Sequence, residues 1–191
     1  MRTGEIPEPY DATDPAAFRF VLGHFCTGVT IVTALGPDGP VGLTCQSFSS
    51  LSLAPPLASF NASRASTSWP LIRAADAFCV NILAEGQRRL SVQMSRSGTD
   101  KFAGVDWRPT PLGAPRIDGV AAWLDCTLRA EHDGGDHTIV VAAVHRFMAT
   151  NGARPLLFYR GGYGSLAGPS AAAPDRAPRD LAELETRGNR S

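Results

Sequence analysis

The chain has 191 residues, of which 43% are hydrophobic and 19% charged, with a formal net charge of +0. That length suffices for one domain with a buried core, and the neutral balance argues against nucleic acid held on a basic face. The uncharged apolar run from Ile139 to Val144 is too short to cross a bilayer, and the opening MRTGEIPEPYDATD lacks the apolar stretch of a secretory signal.

Residues 1–13 read as a flexible lead, 14–166 as a single domain and 167–191 as a flexible tail with one short helix at Leu181 to Leu184. Asp14-Pro15 has the form of an N-cap followed by proline in the first helical turn. Phe18, Val21, Leu22 and Phe25 then recur at helical spacing, which predicts a short amphipathic helix ending near Gly23–Cys26. Gly28 to Leu35 is β-branched and strand-like, Gly36-Pro37-Asp38-Gly39 is a turn, and Val41 to Phe48 is the returning strand.

The stretch from Val41 to Phe60 has an unusual composition. Apolar residues alternate with Thr44, Gln46, Ser47, Ser49, Ser50 and Ser52, and no charged residue occurs from Val41 to Ser63. Pro55-Pro56 interrupts any ladder, because proline has no backbone N–H. Two readings stay open: a Ser/Thr-rich strand followed by a proline-terminated loop, or a face of small uncharged groups that touches a flat polar ligand.

Leu57 to Asn61 and Ala77 to Leu83 read as strands, Ser66 to Ala74 and Gln87 to Met94 as short helices. Ser95 to Asp118, rich in Gly, Pro and Asp, reads as a long loop. In Val120 to Glu131, Ala122, Leu124, Cys126, Leu128 and Ala130 alternate with Asp125, Thr127, Arg129 and Glu131, as in a half-buried strand. Thr138 to Val144 is apolar on both faces and predicts a central strand. Pro155 to Tyr159 is the last strand, and the tail character begins at Gly161 and strengthens after Ala167. About seven strands with few helices predict a mainly β protein built as a barrel. Cys26, Cys45, Cys79 and Cys126 are widely spaced in apolar contexts, which suits buried reduced thiols in a cytoplasmic protein.

Four groups of residues could carry chemistry. Gly162-Tyr163-Gly164-Ser165-Leu166-Ala167 fits a dinucleotide-binding GxGxxA pattern, but the βαβ unit that must follow has no room, so the match is chance. His132-Asp133-Gly134-Gly135-Asp136-His137 is a metal cluster, a plain turn, or a turn that aims His137 into a site. Asn61-Ala62-Ser63-Arg64-Ala65-Ser66-Thr67-Ser68-Trp69 collects hydroxyls, an amide and a guanidinium before a helix start, which makes either an anion site or a set of caps. Asp100-Lys101-Phe102 offers a second cation to the same anion, or an ordinary surface lysine.

Seven blocks in order resemble the short-chain flavin reductase family, the reductase components of two-component flavin-dependent monooxygenases. They are TGVTIVT (Thr27–Thr33), GLTCQSFSSLSLAPPL (Gly42–Leu57), NASRASTSW (Asn61–Trp69), FCVNIL (Phe78–Leu83), DKFAGVDW (Asp100–Trp107), GDHTIVVAAV (Gly135–Val144) and PLLFYRGGYG (Pro155–Gly164). The likeness runs from about Phe18 to Gly164, and the HDGGDH and DKFAGVDWRP wording is most similar to reductases serving steroid-ring or phenol hydroxylases.

The resemblance implies a split β-barrel homodimer that binds FMN or FAD near the subunit interface, takes hydride from NADH or NADPH, and hands reduced flavin to a separate oxygenase. It implies that Thr27, Gly28, Val29 and Thr30, with Thr44, Cys45, Gln46 and Ser47, line the isoalloxazine ring. Asn61, Ser63, Arg64, Ser66, Lys101 and Phe102 would hold the ribityl chain and phosphate. His137 would sit by the nicotinamide, and Tyr159 with Arg160 would close the pocket. A pyridoxamine-phosphate-oxidase-like relative would call for a strongly basic phosphate site, and only Arg64 and Lys101 are candidates for one. A non-catalytic flavin- or haem-binding split barrel is the alternative of a different class.

Overall fold

The computed structural model describes residues 8–98 and 100–167; residues 1–7 and the C-terminal stretch from 168, with the helix expected at Leu181 to Leu184, lie outside the described residues. Helix α1 (Pro15–Leu22) starts as the sequence dictates, with the Asp14 carboxyl accepting from the Ala16 and Ala17 N–H groups and proline in the first turn. There follow β1 (Thr27–Gly28), β2 (Thr30–Gly36), β3 (Gly39–Cys45), β4 (Ser49–Leu53), β5 (Pro56–Ser63), α2 (Trp69–Arg73), β6 (Phe78–Ile82), a single 3-10 turn (Glu85–Gln87) and α3 (Arg88–Ser95). The chain continues through β7 (Trp107–Pro109), β8 (Pro115–Ile117), β9 (Ala122–Gly134), β10 (His137–Ala149), β11 (Leu157–Tyr159) and β12 (Gly162–Gly164).

Seven of these strands form one antiparallel sheet in the order β3-β2-β6-β9-β10-β5-β4. The sheet curls until its ends share a core. Leu43 and Cys45 of β3 pack in one cluster with Phe60 and Ala62 of β5, together with Val32, Phe78, Val80 and Val140 between them. Phe60, Trp69 and Phe78 meet edge to face at the centre of this cluster. No ladder closes β3 onto β5 among the described residues, so the arrangement is a split β-barrel. A second cluster, with Ile31, Leu83, Met94 and Ile117 at its heart, lies on the opposite side of β2 beneath α3. Period two explains the division: Val32 points into the barrel and Ile31 out of it, into the second cluster.

Several expectations require correction. The stretch Val41 to Phe60 is neither one strand nor a strand followed by a loop: β4 intervenes and pairs with β5, and the turn between them carries Pro55. The two strands buried on both faces are β2 and β6, not β10. Helix α3 and the β7–β8 hairpin cover their outer side, whereas on β10 only Val140 and Ala142 are buried. The long loop from Ser95 to Asp118 contains that hairpin, whose strands are too short for alternation to register. Strand β12 occupies the place where the tail was expected to begin, and the GxG of Gly162–Gly164 is part of its ladder with β11. Asp125 is fully buried instead of facing solvent, accepting from the Thr110 hydroxyl at 2.6 Å and the Leu112 N–H at 2.9 Å. Cys26 is exposed, while Cys45, Cys79 and Cys126 are buried. Burial, with Asp125 nearby, pushes the Cys126 thiol up to about 12 and raises Cys79 as well.

Candidate functional site

Alternation along β5 puts Phe60 and Ala62 in the core and Asn61 and Ser63 on the other face. Antiparallel register with β10 then sets His137 directly opposite Ser63. These three residues form one wall of a cleft of about 590 Å³. The facing wall is the end of β3 and the turn after it, from Leu43 to Ser47. Ser66, Thr67 and Ser68, at the entry to α2, close one end together with Lys101. Met94 and Ser95 of α3 complete the lining, with Ser97, Phe158 and Tyr163.

Several of the hydroxyls hold the cleft's shape. The Thr44 hydroxyl donates to the Ser91 carbonyl at 2.8 Å, tying β3 to α3. The Ser47 hydroxyl accepts from the Asn61 N–H at 2.8 Å and donates to the Asn61 carbonyl at 3.3 Å, clamping the two ends of the curled sheet together. The Ser66 hydroxyl accepts from the Trp69 N–H at 3.1 Å, whereas the residue at the N-cap of α2 is Ser68, whose side chain makes no capping bond. By contrast, the side-chain amides of Gln46 and Asn61 and the hydroxyl of Thr67 make no hydrogen bond within the described residues and open onto the cleft.

Lys101 gives the cleft a cation. Its ammonium donates to the Gly42 carbonyl at 3.0 Å and the Ser68 hydroxyl at 2.8 Å, leaving one of its three donors unspent among the described residues. Partial burial lowers its pKa from the usual 10.5. The His137 ring is held in place by its neighbour: its Nδ1 lies 2.7 Å from the Asp136 carboxyl, and this contact lowers the Asp136 pKa below 3.8. With Nδ1 engaged, Nε2 is the ring nitrogen available to a ligand.

Nine residues expected at a site therefore line this cleft: Thr44, Cys45, Gln46, Ser47, Asn61, Ser63, Ser66, Lys101 and His137. The others lie elsewhere in the single chain. Val29 is buried in the second cluster, and the Thr30 hydroxyl donates inside the sheet to the Cys45 carbonyl at 2.9 Å. Thr27 and Gly28 form β1, beside β11, and the Thr27 Oγ1 is buried without a hydrogen-bond partner among the described residues. Phe102 packs under Gly42, where a Cβ would stand 3.4 Å from its ring and 3.1 Å from the Met94 sulfur. Arg64 points into a separate pocket with Glu131, His132 and Asp133, and pairs with Asp133. Tyr159 and Arg160 stand beside α1, with Tyr159 edge-on to His24 and Arg160 over the Phe20 ring.

Sequence reasoning missed Ser95, Ser97, Phe158 and Tyr163, and it placed Thr67 and Ser68 only as members of the run read as an anion site or a set of caps. Ser68 had a signal, standing one residue beyond Thr67 in a run already singled out. Tyr163 had none: it reaches the cleft because β12 folds back on β11 and its hydroxyl meets Ser91 at 2.9 Å. The metal reading of the HDGGDH turn separates in space, since His132 and His137 line different pockets. Among the described residues no three His, Cys, Asp or Glu are grouped to hold a metal ion.

The donor set fits a phosphorylated heteroaromatic ligand: uncharged amides and hydroxyls along a slot, with one ammonium at the end. A model of the flavin reductase like domain matches residues 22–167. The chain is 48% identical over 170 residues to the flavin-dependent monooxygenase reductase subunit HsaB of Mycobacterium tuberculosis, covering 88% of this chain and 90% of that one. It is 41% identical over 148 residues to the FMN reductase (NADH) SmoA of Agrobacterium fabrum, covering 78% and 84% respectively. The solved structure of the Streptomyces globisporus C-1027 NADH:FAD oxidoreductase SgcE6, in complex with NAD and FAD fragments, superposes with a TM-score of 0.78 at 34% identity, covering 88% of this chain and 99% of that one.

Proposed function

This chain belongs to the flavin reductase-like domain family, and from that premise we propose that it is the NAD(P)H:flavin oxidoreductase component of a two-component monooxygenase. It reduces FMN or FAD and supplies the reduced flavin to a separate oxygenase. The observation that carries the reading is the cleft itself: the open side chains of Gln46, Asn61 and Thr67 line one slot together with a lysine that keeps a donor and a histidine oriented by Asp136.

Bound flavin supplies the hydride acceptor and reduced nicotinamide the hydride, so no general acid is needed from the protein. The work left to the chain is positioning. Lys101, with Ser66 to Ser68 around it, anchors the flavin phosphate by its free ammonium donor. Gln46 and the backbone of the Thr44–Ser47 turn present donors to the negative charge that two-electron reduction places on the ring. Asn61 and Ser63 hold the ribityl chain, and His137, fixed by Asp136, donates from Nε2 to the nicotinamide carboxamide. One lysine is a modest phosphate anchor, which suits a product that must depart.

A homodimer is part of the same reading. Helix α1 buries none of its residues in the single chain although Phe18, Phe20, Val21 and Leu22 all lie on it, and Phe25 and Phe147 are 77% and 73% exposed. Such apolar surface is expected at a subunit contact, and it stands next to Tyr159 and Arg160.

The test is anaerobic reduction followed by rapid ultrafiltration. Reduced flavin should pass the filter after NADH is added, and retention of all the flavin on the protein would count against a delivery role. Sedimentation at micromolar concentration should give twice the 20.2 kDa chain mass, and a monomer would remove the dimer from the account.

A further inference from the structure

A second cleft, of about 340 Å³, adjoins the first across a shared wall of Thr67, Ser68 and Lys101. Its far side is the turn joining β2 to β3, with Pro37, Asp38 and Pro40, and its floor includes Leu71 of α2. Lys101 forms the ridge between the two. Its ammonium is pinned to Ser68, which both clefts share, and to Gly42, which lines the second. The volume falls at the low end of small-molecule pockets, roughly 300–1,000 Å³.

The chemistry of this second cleft is specific. Leu71 is 42% exposed, and with Pro37 and Pro40 it offers flat apolar surface to a heteroaromatic base. The exposed Asp38 carboxyl can accept from ribose hydroxyls, as acidic residues do in dinucleotide sites. Asp100 also lines the cleft, with its carboxyl accepting from the Phe102 N–H at 3.0 Å. Lys101 is the one cation among the described lining residues, so positive charge is concentrated at the ridge and the far end suits an uncharged group.

We propose that the adenosine half of FAD occupies this second cleft, with the diphosphate crossing the Lys101 ridge, so that the protein binds FAD more tightly than FMN. The inference rests on the flavin-reductase reading of the first cleft. The other place for an adenylate is a basic groove of about 630 Å³ on the outer side of α3, with Arg88, Arg89 and Arg96. That groove shares no lining residue with the flavin cleft, and Arg88 is already stacked 5.4 Å from the centre of the Tyr163 ring.

Calorimetric titration with FMN and with FAD, in the absence of nicotinamide, tests the assignment. The parent protein should bind FAD about tenfold more tightly than FMN, the value of one well-formed set of contacts. Leu71→Glu, which fills the second cleft and adds negative charge, should weaken FAD about tenfold and leave FMN within about twofold. Asp38→Ala, on an exposed turn, should weaken FAD alone by about threefold. Equal affinities in the parent, or parallel losses for both flavins in Leu71→Glu, overturn the proposal. So does selective loss of FAD in Arg89→Ala/Arg96→Ala with none in Leu71→Glu. Failure of the parent to bind either flavin would defeat the reductase reading beneath it, which is a distinguishable result.

Discussion

Two regions of this barrel use the same kinds of residue for opposite purposes. On the outer side of β6, Asn81 donates to the Ile31 carbonyl and the Thr33 hydroxyl and accepts from the Ile117 N–H. Thr33 reaches the Pro115 carbonyl, and Asp125 receives Thr110 and Leu112. All of Thr33, Asn81 and Asp125 are fully buried, and each satisfies a neighbour. In the cleft, Gln46, Asn61 and Thr67 are exposed and turn their side-chain groups outward. A polar group buried without a partner costs free energy, so the first set has to be closed. The second set stays open because water or a ligand can satisfy it. What separates architecture from site here is whether donors are already spent, and composition does not report that.

The sharpest way to break the comparison is to remove a member of the closed set. Asp125→Ala should cost about 3 kcal/mol of stability, since two hydrogen bonds to a buried carboxyl are lost and the β7–β8 hairpin loses its anchor. Urea unfolding measures it, and a loss below about 1 kcal/mol would show that the buried set is not tightly coupled. Flavin affinity per folded molecule should be unchanged. Lys101 stands between the two sets, with two donors spent on Gly42 and Ser68 and one kept for a ligand, so removing it should shift the loss from stability toward binding. Lys101→Met should weaken flavin binding about thirtyfold, the worth of a charge-assisted hydrogen bond, while stability shifts by no more than about 1 kcal/mol. Comparable losses in both quantities would place Lys101 among the structural residues.

Smaller effects sharpen the same contrast. His137→Ala should raise the nicotinamide KM about fivefold and leave flavin affinity within about twofold. Equal KM values for variant and parent would take His137 out of the site. The pH dependence has a defined sign at Lys101. Its folded pKa lies below 10.5, so the unfolded chain holds the proton more firmly and stability rises with pH through that window. Flavin affinity should move the other way, falling as pH rises and the ammonium is lost, and earlier than an ordinary lysine would allow. The least effect belongs to the exposed Asp136–His137 pair. Its contribution is present above pH 3.8 and disappears as pH falls through the lowered Asp136 value. Asp136→Asn should therefore abolish that acid-limb change in the His137 ring signals followed by NMR.

Much of the frame was legible in the residues. The Asp14-Pro15 start of α1, the Gly36–Gly39 turn and the strands built on GVTIVTAL and AFCVNIL follow from capping, turn chemistry and β-branching. Asn61, Ser63 and His137 were legible as polar residues against an apolar background, and strand register then placed them side by side. Asp125 was not legible. It points to the face opposite Cys126, as alternation has it, but the β7–β8 segment covers that face and closes on the carboxyl with Thr110 and Leu112. Ser47 was read as a ligand-facing group, whereas its hydroxyl joins β3 to β5, a contact between residues 14 apart that only the curl of the sheet creates. The hairpin of β7 and β8 escaped because three-residue strands between Gly and Pro look like loop.

The central claim concerns the cleft between Lys101 and His137, and nicotinamide absorbance tests it most directly. Purified, folded protein mixed with NADH or NADPH should consume the nicotinamide only when FMN or FAD is added, and Lys101→Met should raise the flavin concentration required. No consumption with any of the four pairs would contradict the account.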